Sequence, residues 1–167
     1  LRGRWPSMRR GCHTRRRARS AARRLRLPRS AIVAEPTSAV TDTHALLFHA
    51  AGGSRLGARA RSLFAAAEER NAIVYVPMAV IWEVTLLARA VRVNLHRPVR
   101  SFFADLFSNP SYQPHALDAS QIFEAGELRS LRDPFDALIC AAARDLDLPL
   151  ITRDEAITGS AQLTTIW

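Results

Sequence analysis

Short apolar runs that recur between helical stretches constrain this chain more than any other feature. Residues 38–41, 73–76, 148–152 and 163–166 read as strands, with a further candidate at 112–117. Between them the pattern turns helical. One helix spans 43–50 and is broken by Gly52 and Gly53; the next, 56–70, carries Leu56, Ala60, Leu63, Phe64 and Ala67 on one stripe. Helices follow at 78–93, at 98–107 (closed by Asn109 and Pro110), at 119–128 and at 134–146 (opened by Asp133), with a helical turn at 154–158. Short strands that are apolar throughout cannot turn one face to water, so they belong in a parallel sheet covered by helices on both sides. In such sheets ligands bind beyond the carboxyl ends of the strands, where the strand order reverses.

Charge divides the chain in two. The net charge of +9 is an average over unlike parts. The first thirty residues hold twelve arginines and no acid, whereas residues 31–167 hold twelve arginines against fifteen acids, a net of −3. Residues 1–37 therefore read as an Arg-rich, disordered extension, too highly charged to bury surface that offsets its ordering entropy. Three readings of it stand open: an RNA-gripping arm, a targeting sequence, which would lack its usual apolar stretch, or an upstream start wrongly assigned, since the chain opens on Leu1. Residues 38–167 form the expected domain. No apolar run approaches about 18 residues, so no membrane helix is expected. Two cysteines, Cys12 and Cys140, without metal-ligand spacing agree with a reducing, cytoplasmic setting.

Four acids stand where a ligand crevice is expected. Asp42 follows the first strand and Asp154 follows the strand at 148–152. Each is also well placed to cap the helix after it. Glu83 lies on a helix whose polar residues Thr85, Arg89 and Arg92 are far around the axis from it at ~100° per residue. Its own side is occupied by Ala79, Val80, Leu86, Leu87 and Ala90, which puts it in the middle of the apolar face. A buried carboxylate must be paired with a cation, protonated or bound to metal. Asp136, in the first turn of its helix, can complement the helix dipole but shares a face with Ile139, Cys140 and Ala143, while Asp145 faces solvent. Four converging carboxylates repel one another unless a cation lies among them, and an all-oxygen donor set selects hard ions such as Mg²⁺ or Mn²⁺.

The segments Val40-Thr41-Asp42-Thr43-His44, Ile81-Trp82-Glu83-Val84, Arg132-Asp133-Pro134-Phe135-Asp136 and Leu150-Ile151-Thr152-Arg153-Asp154, in this order and spacing, resemble the PIN domain. More narrowly they are similar to the VapC-type toxins of bacterial type II toxin–antitoxin systems. The resemblance implies a three-layer α/β/α sandwich around a central parallel sheet of four to five strands. It implies that Asp42, Glu83, Asp136 and Asp154 are the catalytic and metal-binding acids and that Thr152 supports them. It further implies a Mg²⁺-dependent ribonuclease, with Mn²⁺ as a substitute ion, that is commonly a homodimer and is restrained by a cognate antitoxin. Two positions depart from the family pattern. The stretch after Glu83 lacks a Lys, for which Arg89 or Arg92 can substitute, and Ala137 stands where relatives often carry Arg.

The expected chemistry is cleavage of an RNA phosphodiester by metal-activated water. Asp42, Asp136 and Asp154 would hold the ion, and Glu83 would ligate a second ion or orient the water. Single-stranded or looped RNA reaches a narrow cleft most readily, and Arg89, Arg92, Arg132 and Arg153 are the candidate phosphate contacts. Two alternatives remain. Another Mg²⁺ phosphohydrolase of the aspartyl-nucleophile type wants an Asp-x-Asp pair, yet His44 occupies the second position. A degenerate, non-catalytic domain that binds RNA or protein would have no reason to keep all four acids.

Overall fold

The computed structural model describes residues 37–160 and 163–167. The expected disordered extension over residues 1–37 thus lies, Thr37 apart, outside the described residues. Five strands, β1 (Ser38–Thr41), β2 (Ile73–Pro77), β3 (Tyr112–His115), β4 (Leu150–Ile151) and β5 (Thr165–Ile166), form one sheet in the order β3-β2-β1-β4-β5. Every pairing is parallel. Seven helices connect and cover the strands: α1 (Thr43–Ala50), α2 (Ala58–Glu68), α3 (Met78–Arg89), α4 (Val99–Ser108), α5 (Ala119–Glu127), α6 (Pro134–Asp145) and α7 (Glu155–Ser160). The result is a three-layer α/β/α sandwich, in which α2 packs on β2, α4 on β3 and α6 on β1, with α6 also touching α3 and α5.

The sheet is apolar because it is buried on both faces. Val40, Val74, Val76, Leu150, Ile151 and Ile166 are almost wholly inaccessible, and the helices meet them with Leu46, Phe64, Val80, Val84 and Ile139. Helix starts are set by local chemistry. The Asp42 carboxylate accepts the Ala45 N–H, the Asp118 carboxylate accepts that of Gln121, and Asp133 accepts that of Phe135 ahead of Pro134, each satisfying an otherwise unpaired backbone donor. Cys140 is a buried, unpaired thiol. No described helix is long and apolar enough to cross a membrane.

Several elements are shorter than the sequence predicts, among them the strands expected over 112–117 and 163–166, which pair at Tyr112–His115 and Thr165–Ile166. The helix expected over 56–70 covers Ala58–Glu68, and that expected over 78–93 covers Met78–Arg89. Both are followed by a residue with left-handed backbone, Arg70 at φ 63° and Val91 at φ 56°, which ends a right-handed helix without a glycine. The strand expected over 148–152 pairs only at Leu150–Ile151. The Pro149 carbonyl still accepts the Val40 N–H, so the chain runs beside β1 before the ladder begins.

Candidate metal centre

The strand order reverses between β1 and β4. The chain builds β1, β2 and β3 outward on one side and then returns to place β4 against the other side of β1. The pairs Val40↔Leu150 and Thr41↔Ile151 bring the next residues, Asp42 and Thr152, level at the carboxyl edge. Crevices of this kind open where a sheet's connections diverge.

Asp42 lies at the bottom, 6 % exposed. One carboxylate oxygen takes the Ala45 N–H at 2.5 Å, and the Thr152 hydroxyl donates to the carboxylate as well. Burial raises the Asp42 pKa, the hydrogen bonds from Thr152 and Ala45 and the neighbouring His44 oppose that rise, and the negative charge of Glu83 adds to it. Thr152, itself buried, uses both capacities of its hydroxyl, since its Oγ1 also accepts the Asp154 N–H at 3.0 Å. It thereby ties the loop after β4 to the acid after β1.

Glu83 reaches the same region from α3. Its Oε2 accepts the Thr43 hydroxyl at 2.5 Å, so it is anchored to the residue beside Asp42. It shares a side of the helix with buried Ala79, Val80 and Val84, as the helical spacing predicts, but it is half-buried rather than sunk in the apolar face. Asp136, in the first turn of α6, is also half-buried. Its pKa is pushed up to about 6, first by burial and then by the charges of Asp133, Asp154, Glu83 and Asp42. Asp136 thus feels the charges of the other three predicted acids, and Asp42 that of Glu83. Further down α6, burial and then Asp136 push the Cys140 thiol up to about 12.

Asp154 differs from the others. It is exposed, and its Oδ1 accepts the N–H groups of Ala156 and Ile157 at 2.7 and 3.2 Å. Asp42 and Asp154 are therefore both helix caps and both contributors to the acidic edge. Among the described residues no Arg or His side chain stands within ion-pair distance of any of the four acids. Among the same residues no three His, Cys, Asp or Glu side chains are drawn together closely enough to grip an ion. The donor set, carboxylates and hydroxyls without thiol or imidazole, fits a hard divalent cation in its chemistry.

The predicted phosphate contacts are spread out. Arg89 ends α3, Arg92 lies in the loop beyond it, Arg132 precedes α6 and Arg153 precedes Asp154; all four are exposed. The Arg153 guanidinium lies over the rings of Phe48 and Trp167. Sequence reasoning missed Thr43, although a hydroxyl directly after the strand-end acid was a visible signal. It also missed Phe48 and Trp167, which carried no such signal, because their proximity depends on the β4–β5 pairing.

The family model for the PIN domain matches residues 39–159. The chain belongs to the PIN domain family. Several solved structures share the fold. VapBC2 from Rickettsia felis, bound to a DNA fragment from its promoter, aligns with a TM-score of 0.57 at 16% identity over 77% of this chain and 97% of that one. A toxin–antitoxin complex from Klebsiella pneumoniae aligns at 0.52 and 21% identity over 77% and 96%. FitAcB from Neisseria gonorrhoeae aligns at 0.53 and 16% identity over 77% and 96%. Comparison with curated protein sequences found no match. In this PIN domain the acidic edge is the place where nuclease chemistry in the family would be sought.

Proposed function

We propose that the protein is a divalent-metal-dependent endoribonuclease and the toxin of a VapC-type toxin–antitoxin pair. The observation that carries this reading is the convergence of the charges of Asp42, Glu83 and Asp154 on Asp136 at the carboxyl edge of a PIN-fold sheet, with no ion-pair partner for these acids among the described residues. Such an arrangement is costly for a fold to keep unless a cation relieves it. Mg²⁺, or Mn²⁺ in its place, would be held by Asp42, Asp136 and Asp154, with Glu83 as a further ligand or as the group that orients water. When bound, the ion supplies an acidified water and offsets charge on the phosphate.

The chain's own residues prepare that chemistry. Thr152 donates to Asp42 and favours its ionised form. Thr43 holds one oxygen of Glu83 and leaves the other available. Asp136, with a pKa of about 6, can take up or release a proton near neutral pH. Resemblance to a toxin–antitoxin complex from Klebsiella pneumoniae supports a cognate antitoxin as partner, and the family pattern supports a homodimer.

The test is cleavage of single-stranded RNA by the purified protein with Mg²⁺ or Mn²⁺. We expect products ending in a 3′-hydroxyl and a 5′-phosphate, arrest by EDTA, and loss of activity by about 100-fold or more in Asp42→Asn with the fold retained. Cleavage by Asp42→Asn at the wild-type rate would remove the basis of the assignment.

A further inference from the structure

At the β5 side of the acids the chain builds a cluster of the opposite charge. The Cζ of Arg153 lies 5.0 Å from the centroid of the Phe48 ring and 5.8 Å from that of Trp167. Arg55 lies over Phe48, also at 5.0 Å, and the two rings meet edge to face at 6.4 Å. The rings are half-buried and both arginines exposed. Among the described residues neither guanidinium stands within ion-pair distance of a carboxylate.

Separate parts of the chain hold this shelf in place. Phe48 belongs to α1, whose first residue follows Asp42. The pair Ile151↔Ile166 aligns the loop after β4 with the residue after β5, which places Arg153 beside Trp167. Gly57, the cap of α2, is pressed against Trp167: a Cβ there would lie 2.3 Å from the Trp167 carbonyl carbon and 2.6 Å from its Cδ1. The backbone at Gly57 is ordinary, with φ −64°, so glycine is required for space and not for conformation.

We propose that Arg153 and Arg55, backed by Phe48 and Trp167, form the subsite that holds the RNA strand beside the acids, the guanidiniums on its phosphates. The proposal rests on the ribonuclease reading above and names where the strand lies. A body with net charge −3 over residues 31–167 repels a polyanion and needs local positive charge next to its acidic edge. An arginine seated on an aromatic ring has already lost much of its rotamer freedom, yet keeps its donor fork for bidentate contact with phosphate. β4 and β5 follow β1 in the sheet, so two spacings of ~4.8 Å put Trp167 roughly 10 Å from Asp42, within reach of a neighbouring nucleotide. Single-stranded RNA offers phosphates to the arginines and base faces for stacking; an acidic peptide offers only charge.

The experiment measures binding of a short single-stranded oligoribonucleotide to the full chain in EDTA by fluorescence anisotropy across a salt series. Cleavage kinetics are followed in parallel with Mg²⁺. In the Arg55→Ala/Arg153→Ala double variant we expect affinity to fall about tenfold or more. The slope of log K against log salt should fall in magnitude by about 1.4, for two phosphate contacts at ~0.7 each. KM should rise with kcat nearly unchanged. Arg153→Lys, which keeps the charge but not the planar fork, should retain the slope and recover only part of the affinity. Wild-type affinity and slope in the double variant overturn the subsite, as does a wild-type chain that binds no RNA. So does a double variant that loses binding to a poly-glutamate peptide while holding RNA normally. If the double variant loses RNA and the wild type never cuts, the subsite stands and the ribonuclease reading falls. If the wild type cuts and the double variant matches it in affinity and KM, the reading stands and the subsite falls.

Discussion

Helix α1 has a carboxylate near each of its ends, and the fold treats the two in opposite ways. At its start Asp42 is buried and its pKa is raised, with burial outweighing the hydrogen bonds it accepts. Near its far end Glu68, from α2, accepts the Tyr112 hydroxyl at 2.6 Å and lies 2.9 Å from Nε2 of His49. The Tyr112 hydrogen bond, helped by His49 and resisted by partial burial, holds Glu68 below the usual carboxylate range, and the same contact together with burial raises the Tyr112 phenol. The His49 ring stacks on Phe64 at 4.3 Å, so that network is also braced by the core. The comparison separates two uses of a carboxylate. The far cluster lowers the energy of its acid. The near cluster leaves Asp42 and Asp136 raised in energy, which is the condition for recruiting a cation.

The largest test of that contrast is catalytic. Asp42→Asn should lower RNA cleavage by about 100-fold or more, whereas Glu68→Gln, assayed in the same way, should stay within about twofold of wild type. Equal losses would erase the distinction. The next is thermodynamic. Titrating Mn²⁺ into the protein should raise unfolding free energy by about 2.7 kcal/mol once the ion reaches ~100 times its Kd. That gain should vanish in Asp42→Asn/Asp136→Asn and persist in Glu68→Gln, as read by urea denaturation. Tyr112→Phe should cost about 0.5–1.5 kcal/mol, because the hydrogen bond it removes has an exposed, solvent-screened carboxylate as acceptor, without moving the metal response.

The smallest expected effect follows pH. Asp136 has a folded pKa of about 6, above the ordinary 3.8 of an exposed aspartate, so the folded chain keeps a proton that the unfolded chain has released. Its contribution to stability is therefore present below about pH 4, declines as pH rises towards 6, and is gone above that. Without metal, Asp136→Asn should melt about 2–4 °C higher than wild type at pH 7, and the difference should disappear below about pH 4. Glu83→Gln should likewise leave the metal-free melting temperature unchanged or raised, since a glutamine oxygen can still accept the Thr43 hydroxyl. A marked drop would mean that Glu83 is held by favourable contacts and does not belong to the repelling set.

Much of this was readable in the chain. The apolar runs led to the strands because a sheet covered on both sides leaves no polar alternation, and Asp42 and Asp154 could be placed because strand ends in such a sheet face the crevice. Asp136 and Glu83 were placed by helical angle. Depth was less legible, because an angle says which side a residue takes and nothing of where the sheet stops; Glu83 lies on the expected side yet only half-buried. Helix ends were missed at Arg70 and Val91 because left-handed termination by a residue other than glycine has no compositional mark. The union of Phe48, Arg55, Arg153 and Trp167 was out of reach, since it requires knowing that β5 lies beside β4.

The pairing of β1 with β4 sets an order of events during synthesis. Thr41 finds its partner Ile151 more than a hundred positions later in the chain, and contacts so distant in sequence form late. A nascent chain still on the ribosome can assemble β1, β2 and β3 with their helices, but it cannot bring Thr152 to Asp42 until nearly the whole domain has emerged. The acidic edge therefore stays incomplete through most of translation and closes only when β4 and the loop after it have been made.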